Sequence, residues 1–171
     1  MEFRQRKALG VIGGLGPMAT AYFLQLLTQM SDAGTDQEHM DIMTISKPSI
    51  PDRTRYILGI SDENPVGEMV LAGKKLKGIG ADIIAIPCIT AHYFHDELES
   101  KIGLPVINAV EETAVYLKNI GIEKVGIQAT EGTVRSQLFQ ECMNQYGIEC
   151  IVPKKEAQAI ITRVIYDSIK A

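Results

Sequence analysis

Apolar and polar positions alternate along this chain in a repeating order: a short, nearly unbroken apolar run, a turn, then a longer segment with helical spacing. "KALGVI" (7–12) runs into "GGLG", after which Pro17 stands where a first helical residue would and an apolar-rich segment continues to Met30. "MDIMTIS" follows as a strand, then a helix opened by Asn64 and Pro65 and reaching about Ile79. "ADIIAIP" is the next strand, with a helix expected from Thr90. "LPVINA", a helix over 110–120, "KVGIQA", a helix over 133–146, "IECIVP" and a last helix from Glu156 complete the series. Near-continuous apolar strands alternating with amphipathic helices predict an α/β protein with a mostly parallel sheet covered on both faces.

In such sheets ligands gather beyond the carboxyl ends of the strands. Those ends carry Gly13 to Gly16, Ser46, Cys88 to Thr90, and Thr130 to Thr133. The pattern also repeats within the chain. "LGVIGGLGPMATAYF" (9–23) lies over "VGIQATEGTVRSQLF" (125–139) without a gap, matching Gly10 to Gly126, Gly16 to Gly132 and Phe23 to Phe139. The expectation is therefore two related lobes, a first over 1–112 and a partial second over 113–171. The second lobe's counterpart of the strand before Cys88 would lie beyond residue 171, which predicts an open sheet edge or an uncovered apolar face.

Composition narrows the function classes. With 171 residues, 46% of them apolar, the chain can bury a sizeable core. A net charge of −4 argues against the basic footprint of a nucleic-acid or anionic-membrane binder, and points to small molecules or protein partners. No apolar run approaches a bilayer span and the N-terminus lacks a signal-peptide pattern, so a cytoplasmic location is expected. The three cysteines are odd in number and none lies in a C-x-x-C pair, so neither disulfides nor a metal site is expected.

Cys88 is the candidate that chemistry singles out. A thiol at a strand end, just before a helix N-terminus, would meet unpaired N–H groups that favour the thiolate. The competing reading is a small buried hydrophobe. Cys142, mid-helix, and Cys150, in a strand, have no such context and are read as core or surface thiols. His92 is read as packing behind the thiol rather than as an acid or base.

"IPCITAH" resembles the "PCNTAH" signature of the aspartate/glutamate racemase family, the cofactor-independent amino-acid racemases. "GGLGPMAT" is similar to that family's glycine turn, "SIPDRT" to its arginine loop, "ATEGTVRS" to its second-lobe turn, and "IYDSIKA" to its late lysine helix, all in the family's order. The resemblance implies that Cys88 is one of two cysteines on opposite faces of a substrate α-carbon. It also implies that Arg53 and Lys170 attend an acidic amino acid, aspartate or glutamate. Leu15, Ile89, Thr90, Ala91, Thr130 and Thr133 are the implied substrate-binding positions; no cofactor is needed, and a homodimer is expected. Two departures stand out. Ile89 replaces the family's asparagine, and the second cysteine, in a "GCTE"-like motif, would lie beyond residue 171. A catalytically inactive, carboxylate-binding or interaction protein is therefore the alternative. A third reading, dinucleotide binding, rests on Gly14-x-Gly16-x-x-Ala19 after the first strand, with Ser46 and Lys47 suited to a 2′-phosphate.

Overall fold

The computed structural model describes residues 6–169 and divides them into two compact units. Residues up to Ile50, Pro65–Cys88 and Phe94–Ile107 form the first; Pro51–Asn64, Ile89–Tyr93 and the residues from Asn108 onward form the second. The chain passes between the units five times, once at the Cys88–Ile89 peptide bond.

The first unit is built on a three-stranded parallel sheet, in the order β2-β1-β3, of β1 (Leu9–Gly13), β2 (Ile42–Ser46) and β3 (Ile83–Ala85). β1 lies in the middle and is buried at all of its positions, as a strand covered on both faces must be. One face packs Leu9, Val11 and Ala85 against Phe23, Leu24 and Leu27 of α1 (Pro17–Met30). On the other, α3 (Val66–Gly78) and α4 (His95–Ile102) pack so closely that a Cβ on Gly73 would lie 2.4 Å from Ile102 Cδ1. "LPVINA", expected as a full strand, contributes only a parallel bridge between Val106 and Ile84. Pro105 has no N–H to give a ladder, which keeps the pairing short.

The second unit holds a two-stranded parallel sheet of β4 (Lys124–Gly126) and β5 (Glu149–Ile151). Its core joins Ala114 of α5 (Ala109–Asn119), Met143 of α7 (Leu138–Gln145) and Ile148, with Leu117, Val125 and Phe139 packed around them. The helix expected over 133–146 is two helices, α6 (Glu131–Arg135) and α7, because Gln137 between them adopts φ 57°, a left-handed conformation that no helix can carry through. α8 (Lys155–Val164) continues as a π-helical turn over Ile165–Ile169. A short helix that the sequence reading took for loop, α2 (Arg53–Ile57), belongs to this unit and is capped by Asp52, whose carboxylate accepts from the Arg55 N–H at 2.8 Å. Among the described residues, no helix is long and apolar enough to cross a membrane.

Candidate functional site

In the first unit, the parallel register aligns Gly13 with Ser46 at the carboxyl ends of β1 and β2. The Lys47 N–H donates to the Gly13 carbonyl at 3.1 Å, which draws the two strand ends together. Gly14 then turns at φ 85°, and a Cβ there would fall 2.4 Å from Lys47 N, so only glycine fits. Thr20 ties the turn to α1: its hydroxyl accepts from the Gly14 N–H at 2.9 Å and donates to the Gly16 carbonyl at 3.0 Å. Leu15 is buried in this turn. Sequence reasoning missed Thr20; its position four residues after Gly16, one helical turn on, was the available signal.

Cys88 lies three residues beyond β3, half-buried, on the same side of the sheet as the glycine turn. Its N–H donates to the Ile86 carbonyl at 2.7 Å, so the chain bends sharply at Pro87. The helix expected from Thr90 is a 3₁₀ helix over Ile89–Phe94, and α4 begins only at His95. The aligned α-helical N–H groups on which the thiolate argument leaned therefore do not start at Thr90.

The second unit gathers four threonines, and here the structure brings together what the sequence scattered. The Thr90 hydroxyl lies 3.1 Å from that of Thr130 and 3.0 Å from that of Thr133, and the latter two are 3.1 Å apart. Thr54, which the sequence reading passed over although it directly follows Arg53, donates to Thr130 Oγ1 at 3.3 Å. Thr130 also caps α6, its Oγ1 accepting from the Thr133 N–H at 3.3 Å. All four side chains are buried. Gly132 makes the approach possible, since a Cβ on it would lie 2.9 Å from Thr54 Cα.

The hydroxyl bookkeeping has a chemical consequence. A hydroxyl has two lone pairs and one proton. Thr130 Oγ1 fills both lone pairs with the Thr54 hydroxyl and the Thr133 N–H, so its own proton goes to Thr90 or Thr133. One of that pair then donates to the other, and a single hydroxyl proton of Thr90 or Thr133 is left over within the ring. Such a proton is a ready donor to a carboxylate oxygen.

Arg53 opens α2 in the same unit, only 7% exposed, with Nη1 donating to the Pro51 carbonyl at 2.9 Å. It is a held cation rather than a solvated loop arginine. The Tyr166 hydroxyl reaches the same segment, 3.4 Å from Asp52 Oδ2. Burial raises the Tyr166 phenol above its ordinary range; a hydrogen bond with Thr54 opposes this, and the Asp52 charge adds to it. Ala91 and His92 are buried, whereas Ile89 is 38% exposed. Lys170 lies outside the described residues. Burial pushes the thiols of both Cys142 and Cys150 up, and both pack against the core of the second unit. Among the described residues, no group of histidines, cysteines and carboxylates could hold a metal ion.

Comparison with known proteins gives a consistent picture. The family model for Asp/Glu/Hydantoin racemase matches residues 12–170. The chain is 27% identical over 159 residues to the broad specificity amino-acid racemase RacX of Bacillus subtilis, covering 89% of this chain and 67% of the relative. It is 27% identical over 109 residues to a glutamate racemase of Nitratiruptor, covering 60% of this chain and 43% of that protein. Among solved structures, the aspartate racemase of Picrophilus torridus superposes with a TM-score of 0.80 at 31% identity, covering 95% of this chain and 74% of that one. The chain thus spans about two thirds of the first relative's length and less than half of the second's.

Proposed function

The chain belongs to the Asp/Glu/hydantoin racemase family, and from that premise we propose that it acts on the α-carbon of an acidic amino acid, aspartate or glutamate, with Cys88 as an acid/base group. The carrying observation is local. The thiol stands at the carboxyl side of β3, and two residues later Thr90 enters the buried threonine ring.

In the proposed step the Cys88 thiolate takes the α-proton: the Cα–H bond breaks, an S–H bond forms, and the electron pair passes toward the neighbouring carboxylate. An α-proton is so weakly acidic that this needs strong stabilisation of the developing charge. Arg53 supplies a planar fork for a carboxylate, and the spare Thr90 or Thr133 proton supplies a further donor. No cofactor enters the scheme. Inversion requires a second acid on the opposite face of the carbon. Cys142 and Cys150 do not suit that role, because both side chains pack against the core of the second unit. Cys88 therefore accounts for one side of the reaction, and a second proton donor is required on the other.

Ile89 favours a second reading. Its exposed side chain offers an apolar surface where the family's asparagine offers an amide, which supports a protein that binds a small carboxylate without turning it over.

Proton NMR of L- and D-aspartate and L- and D-glutamate incubated with the protein in D₂O separates these readings. Loss of the α-proton signal with inversion is the result expected of a complete racemase. Loss without inversion identifies Cys88 as a one-sided base. In either case Cys88→Ala should lower the rate by about 10²–10⁴-fold. Retention of every α-proton by the unmodified protein would leave only the binding reading.

A further inference from the structure

Residues 105–107 lie along β3 at the outer edge of the first unit's sheet, and an extended chain sends its backbone groups alternately to the two sides. The Pro105 carbonyl accepts from the Ile84 N–H at 2.9 Å and the Ile107 N–H donates to the Ile84 carbonyl at 2.8 Å, so both face β3. Val106, between them, turns its N–H and carbonyl the opposite way, to the side where no strand continues the sheet among the described residues. An edge residue placed so is a template for another strand.

Both groups are nevertheless taken, by side chains of α4. The Val106 N–H donates to Glu99 Oε2 at 2.8 Å, and the Val106 carbonyl accepts from His95 Nε2 at 2.8 Å. His95 and Glu99 stand four residues apart, so one turn of helix sets a donor and an acceptor side by side, about 5–6 Å apart at Cβ. The carboxylate oxygen takes the place of a neighbouring strand's carbonyl, and the ring N–H takes the place of its N–H. Buried Leu98 and Ile102 fix the helix behind them. The Asp96 carboxylate holds the other ring nitrogen of His95 at 2.9 Å, and the histidine side chain is only 15% exposed. Glu97 shows the alternative: its carboxylate meets Lys101 one turn on, at 2.6 Å, whereas Glu99 spends its own on a backbone N–H.

We propose that His95 and Glu99 form a clasp that closes the edge of the first unit's sheet against strand addition by a second copy of this chain. With the clasp shut, the outward N–H and carbonyl of Val106 are both engaged and cannot pair with a neighbouring strand. With it removed, the edge of one copy pairs with the same edge of another about a two-fold axis, because main-chain pairing needs only unengaged N–H and carbonyl groups on both sides. The clasp is independent of the chemistry at Cys88.

The test compares the full chain with the double variant His95→Ala, Glu99→Ala, which removes both engagements and adds no large apolar group, by sedimentation and amide hydrogen exchange over a range of protein concentrations. In dilute solution the Val106 amide of the variant should exchange about tenfold faster than in the wild type, while the Ile107 amide, bonded to Ile84, keeps its rate. As concentration rises, the variant should reach about twice the mass of the wild type at the same concentration, and its Val106 amide should slow again. The variant His95→Gln, Glu99→Gln keeps a donor and an acceptor and should sediment as the wild type does. A double alanine variant with the wild-type mass throughout, association that leaves the Val106 amide fast, or equal association of the glutamine variant would overturn the proposal. Should the double alanine variant fail to fold, Glu99→Ala alone decides: faster exchange at Val106 supports the clasp, and an unchanged rate ends it.

Discussion

His95 is held by acceptors at both ring nitrogens, Nδ1 by the Asp96 carboxylate at 2.9 Å and Nε2 by the Val106 carbonyl at 2.8 Å. Only the imidazolium can donate to both. Burial by itself would lower its pKa, but these hydrogen bonds and the charges of Glu99 and Asp96 outweigh that and hold it above the ordinary 6.5. A group whose folded pKa is raised binds its proton more tightly in the folded state. Its stabilisation is therefore complete below 6.5 and is lost as pH rises through the folded value. Urea unfolding of the wild type and of His95→Gln should give stabilities that differ most at low pH and converge as pH climbs past the folded pKa. A gap that widens with pH would contradict the assignment. Gly132 makes an equally specific residue-scale case. Gly132→Ala drives a Cβ against Thr54 backbone, which cannot swing aside, so α6 must retreat from α2 and loosen the threonine ring. A loss of about 1–3 kcal/mol in unfolding free energy is expected, whereas a neutral effect would show that the ring does not depend on this approach.

At the scale of elements, the chemistry of the ring and the limits of reading it belong together. Thr130→Val removes a helix cap and the acceptor on which the Thr54 hydroxyl and the Thr133 N–H converge. It should cost about 1–3 kcal/mol, read by denaturant unfolding, while Thr113→Val, on the exposed face of α5, should cost less. The sequence showed Thr90, Thr130 and Thr133 as residues after strands and, by resemblance, as substrate-binding positions; that they meet, and that Thr54 joins them, depends on tertiary contacts with no local signature. Strand and helix order was legible because β1 and α1 follow apolar periodicity. The break at Gln137 was not, because nothing about a glutamine announces a left-handed backbone. The 3₁₀ turn over Ile89–Phe94 was hidden for a related reason: "ITAHYF" has the residues of a helix start, and only the tight bend at Pro87 and Cys88 separates it from one. Arg53 was named by resemblance alone, and its burial and its place at the head of α2 were not legible in the sequence.

Over the whole molecule, among the described residues, exposed apolar side chains on helices occur in both units, and on α8 Ile160 and Val164 are 54% and 48% exposed. Met18 and Tyr22 of α1 are exposed while Phe23, Leu24 and Leu27 on the same helix pack on the sheet, so that helix still has a buried side. α8 has none. Replacing such exposed apolar side chains should cost the folded state little, within about 0.5 kcal/mol, yet it should change how the molecule meets other surfaces. The double variant Ile160→Glu, Val164→Glu is thus expected to unfold at the same denaturant midpoint as the wild type. It should also bind the dye ANS more weakly and elute earlier from a hydrophobic-interaction column. If the variant instead unfolds markedly earlier, Ile160 and Val164 already contribute to the core of their own unit, and α8 is not the open face that the described residues display.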